Sequence, residues 1–323
     1  MAGGAVIREL RKDDAAAVAR LMITVNPHQI ATPQGVWYRA TRGIERERRR
    51  EWVAEAEGEI VGCVQAGFEW SVPTPGKGRF WISVHPERRG RGIGGDLYER
   101  AMAYLRAEGA WRLRSWVDGD PAGERFLAQR GFEAQGSDRV SEVDPREVDL
   151  SELPRLEAER SAQGFRLAPL GRVRDRAHDL HEICVHGELD MPSDEQETEV
   201  DFDSWSREEL NHPDVSDEGS FVVLDGERSV SLAFFGVDPA RRLGYNSMTA
   251  TLREYRRRGL ALLAKLAVVR WAVEAGLERI LAENDVGNVG MLAINDRLGY
   301  RPLYDQTSWF LVLEGKRPPG ERG

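Results

Sequence analysis

An arginine–glycine turn occurs twice in this chain at a nearly constant offset, and that repeat restricts the fold to two related halves. The first copy is Arg89-Gly90-Arg91-Gly92-Ile93-Gly94-Gly95 and the second is Arg256-Arg257-Arg258-Gly259-Leu260-Ala261. Arg89 maps onto Arg256 at 167 residues, and Gly58 onto Gly226 and Gly131 onto Gly299 at 168 each. Three anchors at almost one spacing read as a duplication. Each turn follows a strand-like run and opens a long amphipathic helix. Such a turn aims backbone N–H groups and the positive end of a helix dipole at one spot, which suits a phosphate or pyrophosphate.

The elements around the turns repeat in order. In the first half, a strand at Ile7 to Leu10 precedes helical patterns over Asp13–Met22 and roughly Gln34–Arg50. A hairpin turns at Glu57-Gly58 and runs on through Ile60–Phe68. Strand Phe80–Val84 leads into the turn, and helix Ile93–Arg106, strand Arg112–Val117, helix Gly123–Gln129 and the exit Arg130-Gly131-Phe132 follow. The second half repeats this from Phe165, with a helix over Val173–Val185 and a hairpin turning at Asp225-Gly226. Strand Asn246–Leu252, helix Leu260–Glu274, strand Arg279–Ala282, helix Val289–Arg297 and the exit Leu298-Gly299-Tyr300 complete it. The division expected from this pattern is a domain over 1–145, a connecting helix over 146–163 and a domain over 164–323. Asp190 to Asp217 is acidic and reads as a surface loop or helix pair.

A chain of 323 residues, 41% apolar, is long enough for two domains of ordinary size. The formal net charge of −9 argues against a general nucleic-acid or anionic-membrane binder. The arginines of the two turns are thus a local positive feature. Cys63 and Cys184 are the only cysteines and have no zinc-type spacing, as in a reduced compartment. No apolar run approaches membrane-spanning length, and Met1-Ala2-Gly3-Gly4 carries no signal-peptide pattern, so the expected location is the cytoplasm. The turn lacks dinucleotide spacing, and no P-loop lysine–serine or lysine–threonine pair follows it.

The turns resemble the acetyl-CoA loop of the GCN5-related N-acetyltransferases (GNAT), Gln/Arg-x-x-Gly-x-Gly/Ala. Here that pattern is Arg89-x-x-Gly92-x-Gly94 and Arg256-x-x-Gly259-x-Ala261. In the second half Asn288-Val-Gly-Met291, Asn295 and Leu298-Gly299-Tyr300 extend the resemblance. It implies an α/β (α+β) chain of two tandem GNAT folds, each a mixed, mostly antiparallel sheet with helices on both faces. It further implies acetyl-CoA as co-substrate, held by the strand ends at Val84 and Thr251. Residues Arg89 to Gly95 and Arg256 to Ala261 would cradle the pyrophosphate, with Asn288 beside the CoA arm. The reaction implied is direct transfer of acetyl to a primary amine of a small molecule or peptide, with no metal, nucleic acid or membrane.

The halves are unequal. Asn288 has Asp120 as its counterpart. Many family members place a tyrosine acid seven residues after that asparagine, where Asn295 and Leu127 stand here. Asn295 donates a hydrogen bond but is no practical acid. Tyr304, on the strand after the exit, is a candidate for the proton of the leaving thiol, or an ordinary sheet residue. A base must take the amine proton. Glu254 and His85 flank the two turns and are candidates, as is Glu69, and each is equally a surface residue. Asn284 is a second amide after the strand. His178, His181 and His186 do not share one helix face, which argues against a metal site. Trp37, Tyr38 and Trp205 fall where an acceptor pocket is expected, or in the core. The second half, with Asn288, Asn295 and Tyr304, is the expected catalytic one. The alternatives are an active first half, a non-catalytic CoA-binding sensor, or transfer of a longer acyl chain.

Overall fold

The computed structural model describes residues 5–71, 74–191 and 200–313. Met1–Gly4 and the middle of the acidic stretch, 192–199, lie outside the described residues. The chain divides into two compact units. One holds the described residues up to Ser137 together with those from Gln306 onward, and the other runs from Asp138 to Asp305.

The first unit contains β1 (Val6–Glu9), α1 (Ala15–Val25), α2 (Pro33–Thr41), β2 (Arg50–Ala56), β3 (Glu59–Phe68), β4 (Lys77–Val84), α3 (Ile93–Ala107), β5 (Arg112–Asp118) and α4 (Pro121–Ala128). The helical pattern over Gln34–Arg50 is shorter than expected. It stops at Thr41, a single 3₁₀ turn covers Glu45–Glu47, and β2 begins at Arg50. β6 spans Glu133–Val143. The second unit contains the Asp138–Val143 part of β6, α5 (Leu153–Ala162), β7 (Phe165–Pro169), α6 (Ala177–Leu189), α7 (Phe202–Trp205), β8 (Phe221–Asp225), β9 (Arg228–Asp238), β10 (Leu243–Thr251), α8 (Leu260–Glu274), β11 (Arg279–Asp285) and α9 (Val289–Arg297). The acidic stretch holds α7 and one π-helical turn over Ser206–Leu210. The last strand is β12 (Arg301–Val312).

Each unit has one mixed sheet, antiparallel except where β4 meets β5 and β10 meets β11. In the first unit Gln306–Val312 of β12 pairs antiparallel with Asp118–Arg112 of β5. In the second, Asp138–Val143 of β6 pairs antiparallel with Asp285–Ile280 of β11. The strand that closes each sheet thus lies far from its partner in the chain.

Alternation along the strands builds a core on each face. In the first unit Val53 joins Val18, Ala19 and Val36 under α1 and α2, whereas Trp52 and Ala54 join Leu97, Met102 and Leu105 under α3. In the second, α8 is apolar almost all round, and ten of its residues are buried. A helix of that pattern needs cover on more than one side. The sheet covers one side, and α5, the expected connector, supplies cover through buried Leu153 and Leu156.

Glu47 anchors the first unit's turn before β2. It is 2% exposed and accepts hydrogen bonds from Arg42 at 2.6 Å, Arg79 at 2.7 Å and Arg49 at 3.3 Å. Burial pushes its carboxyl up, but Arg79, Arg49 and Arg42 together outweigh that and hold it below the usual carboxylate range. Removing the charge breaks the buried ion pair with Arg42 and weakens the contacts to Arg79 and Arg49, so Glu47→Gln is expected to cost ~3–5 kcal/mol in chemical denaturation. Because the folded-state value is lowered, this stabilisation is complete at neutral pH and is lost as pH falls through that value. The glutamine variant should therefore show a weaker acid limb in stability than the parent.

Candidate active site

The two parallel strand pairs come apart halfway. β10 and β11 are in register only from Leu243–Arg279 to Asn246–Ala282, and β4 and β5 only from Lys77–Arg112 to Arg79–Arg114. Ser247 to Thr251 and Phe80 to Val84 thus have no partner on that side. In β10 a bulge between Asn246 and Met248 adds to the divergence.

Below each split lies the glycine turn. Gly92 and Gly259 are the N-caps of α3 and α8 with φ of +87° and +74°, a left-handed conformation that favours glycine. The residue two before each differs: Gly90 has φ +75°, whereas Arg257 adopts +59° with a full side chain. A non-glycine residue in this region is strained, and such strain gathers at working sites. Arg89 Nε donates to Val84 O at 3.3 Å and Arg256 Nε to Thr251 O at 3.0 Å, so each arginine locks its turn to the end of its strand. The first N–H groups of each helix have no acceptor within the helix and point out of its start.

In the second unit this arrangement opens on a cavity of about 580 Å³. Thr251, Arg256, Arg257, Gly259, Leu260, Ala261 and Asn288 all line it. Arg258 does not; its guanidinium donates to Glu254 O at 3.3 Å and lies over the Tyr255 ring. Asp190, at the end of α6, also lines the cavity and is bonded by Arg253 and Arg256, which hold its carboxyl down at about 2.

The three proposed catalytic side chains stand off this wall. Glu254 is exposed and pairs with Arg228 at 3.3 Å. Tyr304 sits half-buried on β12. Asn295 is 2% exposed, and its amide donates to Asn284 Oδ1 at 2.7 Å. Asn284 does line the cavity, so Asn295 orients the amide that faces it. The Asn295 carbonyl oxygen is itself buried and without a partner. Asn288 caps α9 by accepting from Met291 N at 3.2 Å.

Among the cavity residues to which the sequence assigned no role are Asn246, Lys265 and Glu283. Glu283 accepts from the Tyr245 hydroxyl at 3.3 Å, and burial followed by this carboxylate pushes the phenol up. Lys265 is the sixth residue of α8 and is 2% exposed. Its Nζ lies 5.2 Å from the centre of the Tyr300 ring. Burial pulls its ammonium down to about 7. A lone lysine within Leu260–Val269 was the available signal.

The equivalent places in the first unit are apolar. Phe80 stands fourth in β4 as Asn246 does in β10, and Tyr98 sixth in α3 as Lys265 does in α8. Val117 matches Asn284, and Leu127 matches Asn295. Phe126 lies 3.5 Å from where a Gly94 side chain would start, and Arg130 stacks on it at 3.6 Å. Trp81 stacks on Trp116 across the split, with centroids 6.2 Å apart. Arg89 pairs with Asp120 at 2.8 Å. Val84 and Arg89 to Gly95 form the expected turn, with Phe126 beside Gly94 and Arg130 beside Gly95. His85 caps the 3₁₀ turn before it through Glu87 N at 3.3 Å, and the Glu69 backbone N–H donates to Lys77 O at 2.8 Å. Trp37 packs in the α1–α2 core, and buried Trp205 stacks near Phe234. His178 stacks on Phe202, and His181 Nε2 contacts Val200 O at 2.6 Å. Among the described residues no group of His, Cys, Asp and Glu could hold a metal, and no helix is long and apolar enough to cross a membrane.

A split parallel strand pair above an arginine–glycine helix start, present twice, defines a tandem acetyltransferase fold. The chain belongs to the acetyltransferase (GNAT) family, whose sequence model matches residues 18–132 and 181–300. It is 32% identical over 88 residues to "Acetyltransferase SG1711" of Sodalis glossinidius, covering 26% of this chain and 59% of that one. It is 34% identical over 83 residues to a mycothiol acetyltransferase of Beutenbergia cavernae, covering 25% and 27%. A tandem GNAT protein from the clavulanic acid biosynthesis pathway shares the fold across 95% of this chain and 98% of its own, with a TM-score of 0.68 and 18% identity.

The buried lysine makes a prediction for stability. Its folded-state value lies below that of an ordinary lysine, so the unfolded chain binds the extra proton between the two. Stability should therefore rise with pH from about 7 toward the ordinary lysine range. Lys265→Met should remove that rise in denaturation curves taken across the window.

Proposed function

We propose that the protein is an acetyl-CoA-dependent N-acetyltransferase whose second unit carries the reaction. The observation that carries this reading is the contrast between the two clefts: a cavity of about 580 Å³ with a polar floor in the second unit, against aromatic side chains in the first. The free N–H groups at the start of α8, Arg256 and Arg257 suit a pyrophosphate. The unpaired edge of β10 from Ser247 to Thr251 suits the amides of a pantetheine arm. When bound, the thioester supplies an activated acyl group.

The chain's own part is to orient that group and manage protons. Asn284, held by Asn295, presents an amide to the cavity. Glu283 is the carboxylate on the wall nearest the strand split, and it replaces Glu254 as our candidate for taking the amine proton. The Glu283 carboxylate on that side favours a cationic amine of a small molecule or peptide as acceptor. The first unit is then chiefly structural.

Calorimetry with acetyl-CoA tests this. We expect one site per chain, abolished by Gly259→Glu, which adds bulk and negative charge at a left-handed glycine, and retained in Gly92→Glu. Retention in Gly259→Glu with loss in Gly92→Glu would move the function to the first unit.

A further inference from the structure

Lys265 is an unusual residue to find where it is. It is 2% exposed on a cavity wall, and no hydrogen bond or ion pair reaches its Nζ among the described residues. Its one contact of note is the Tyr300 ring face. Buried ammonium groups are costly unless an anion or acceptor meets them, and here the protein supplies none. The matching residue of the first unit, Tyr98, needs no such partner and packs against Phe80 with ring centres 5.8 Å apart.

Depth along the cleft says what the missing partner is. At 1.5 Å per residue, Lys265 lies about 9 Å along α8 from Gly259. At about 3.3 Å per residue, that depth corresponds to some three residues back along β10 from Thr251, at Met248 and the bulge. Tyr98 confirms the level in the first unit, because Phe80 occupies the strand position of Asn246. The bulge is where the strands split, and it is the end of the trough away from the phosphate turn. Lys265 is therefore level with the reacting end of a thioester arm and remote from its phosphates.

We propose that Lys265 is a catalytic residue that meets the leaving sulphur and gives it a proton. The proposal rests on the reading of the second unit as the acyl-CoA site. In the step, the acceptor nitrogen forms its bond to the acyl carbon, the C–S bond breaks with its electron pair on sulphur, and one Nζ proton moves to that sulphur. Lys265 is left as a neutral amine and is reprotonated from solvent. The amine's own proton leaves separately, to Glu283 or water. This supplies the acid that neither Asn295 nor Leu127 can be. An ammonium pulled down to about 7 is close to the point where it yields a proton readily. The other charged or titratable groups on the wall are Asp190, Tyr255, Arg256, Arg257, Glu283 and Arg297, and Tyr300 faces the lysine through its ring.

The test needs no acceptor. Coenzyme A is titrated on the full chain, and its thiolate is followed by ultraviolet absorbance against pH. With the ammonium beside the sulphur the two titrate as a coupled pair, so thiolate absorbance should appear in the range around 7 where Lys265 is still charged, well below free coenzyme A. In Lys265→Met that lowering should vanish while calorimetric affinity changes less than about threefold, under 1 kcal/mol. A second measurement uses the parent protein. It has only four lysines, Lys12, Lys77, Lys265 and Lys316, so their side-chain carbons can be followed by NMR. The Lys265 midpoint should rise on adding coenzyme A, whose sulphur shares the pair's proton, and should not rise with desulfo-coenzyme A. Equal thiol titration in parent and methionine variant overturns the proposal, as does loss of coenzyme A binding in that variant. If coenzyme A binding survives Gly259→Glu, the reading of the second unit itself falls instead.

Discussion

The parting of β10 from β11 beyond Asn246–Ala282 is the constraint from which the site follows. A parallel pair that ran on would satisfy its own backbone and leave nothing to bind with. Because it stops, Ser247–Thr251 keep free peptide groups on that side, the floor between α8 and α9 is reachable, and a helix start faces the same space. The bulge at Ser247 and the left-handed glycine at Gly259 bracket that space. The first unit parts its strands in the same way, yet its opening holds Trp81, Trp116, Phe126 and Arg130. One backbone plan thus carries two different interiors.

Much of this was legible in residue order. A repeat offset near 167 exposes the duplication, and period-2 and period-3.6 patterns locate most elements around the turns. The two glycine turns were also within reach, because a helix start depends on local backbone, which glycine spacing reports. The side chains deeper in the cavity were not. Glu254 lies beside the turn in sequence but points to Arg228, and Asn295 acts through Asn284, a relation visible only when α9 packs on β11. Glu283 and Asn246 look like ordinary strand residues until the strands are seen to split. Lys265 was detectable only as an exception in an apolar run. The pattern over Gln34–Arg50 ran too long because Gly43 and the buried Glu47 network break the helix, and a carboxylate–arginine cluster has no periodic signature.

The helix α5 shows a related limit. Its exposed face is charged, and a charged helix-prone stretch between repeats reads as a connector. Its two buried leucines complete the cover of α8, and that cover is what lets α8 be apolar around most of its circumference. Lys265 is then the one charged side chain among the ten buried residues of α8.

The pairing of Gln306–Val312 with Arg112–Asp118 has a consequence for how the protein is made. Gln306 and Asp118 are 188 residues apart, and the Gln306 amide bonds the Asp118 carboxylate at 2.6 Å. A ribosome that has finished Ser137 has therefore released a first sheet lacking its closing strand, with β5 as an open edge. Open edges recruit other strands, including those of neighbouring nascent chains. The first unit must wait for the rest of the chain to be synthesised, so the unit translated first is completed last.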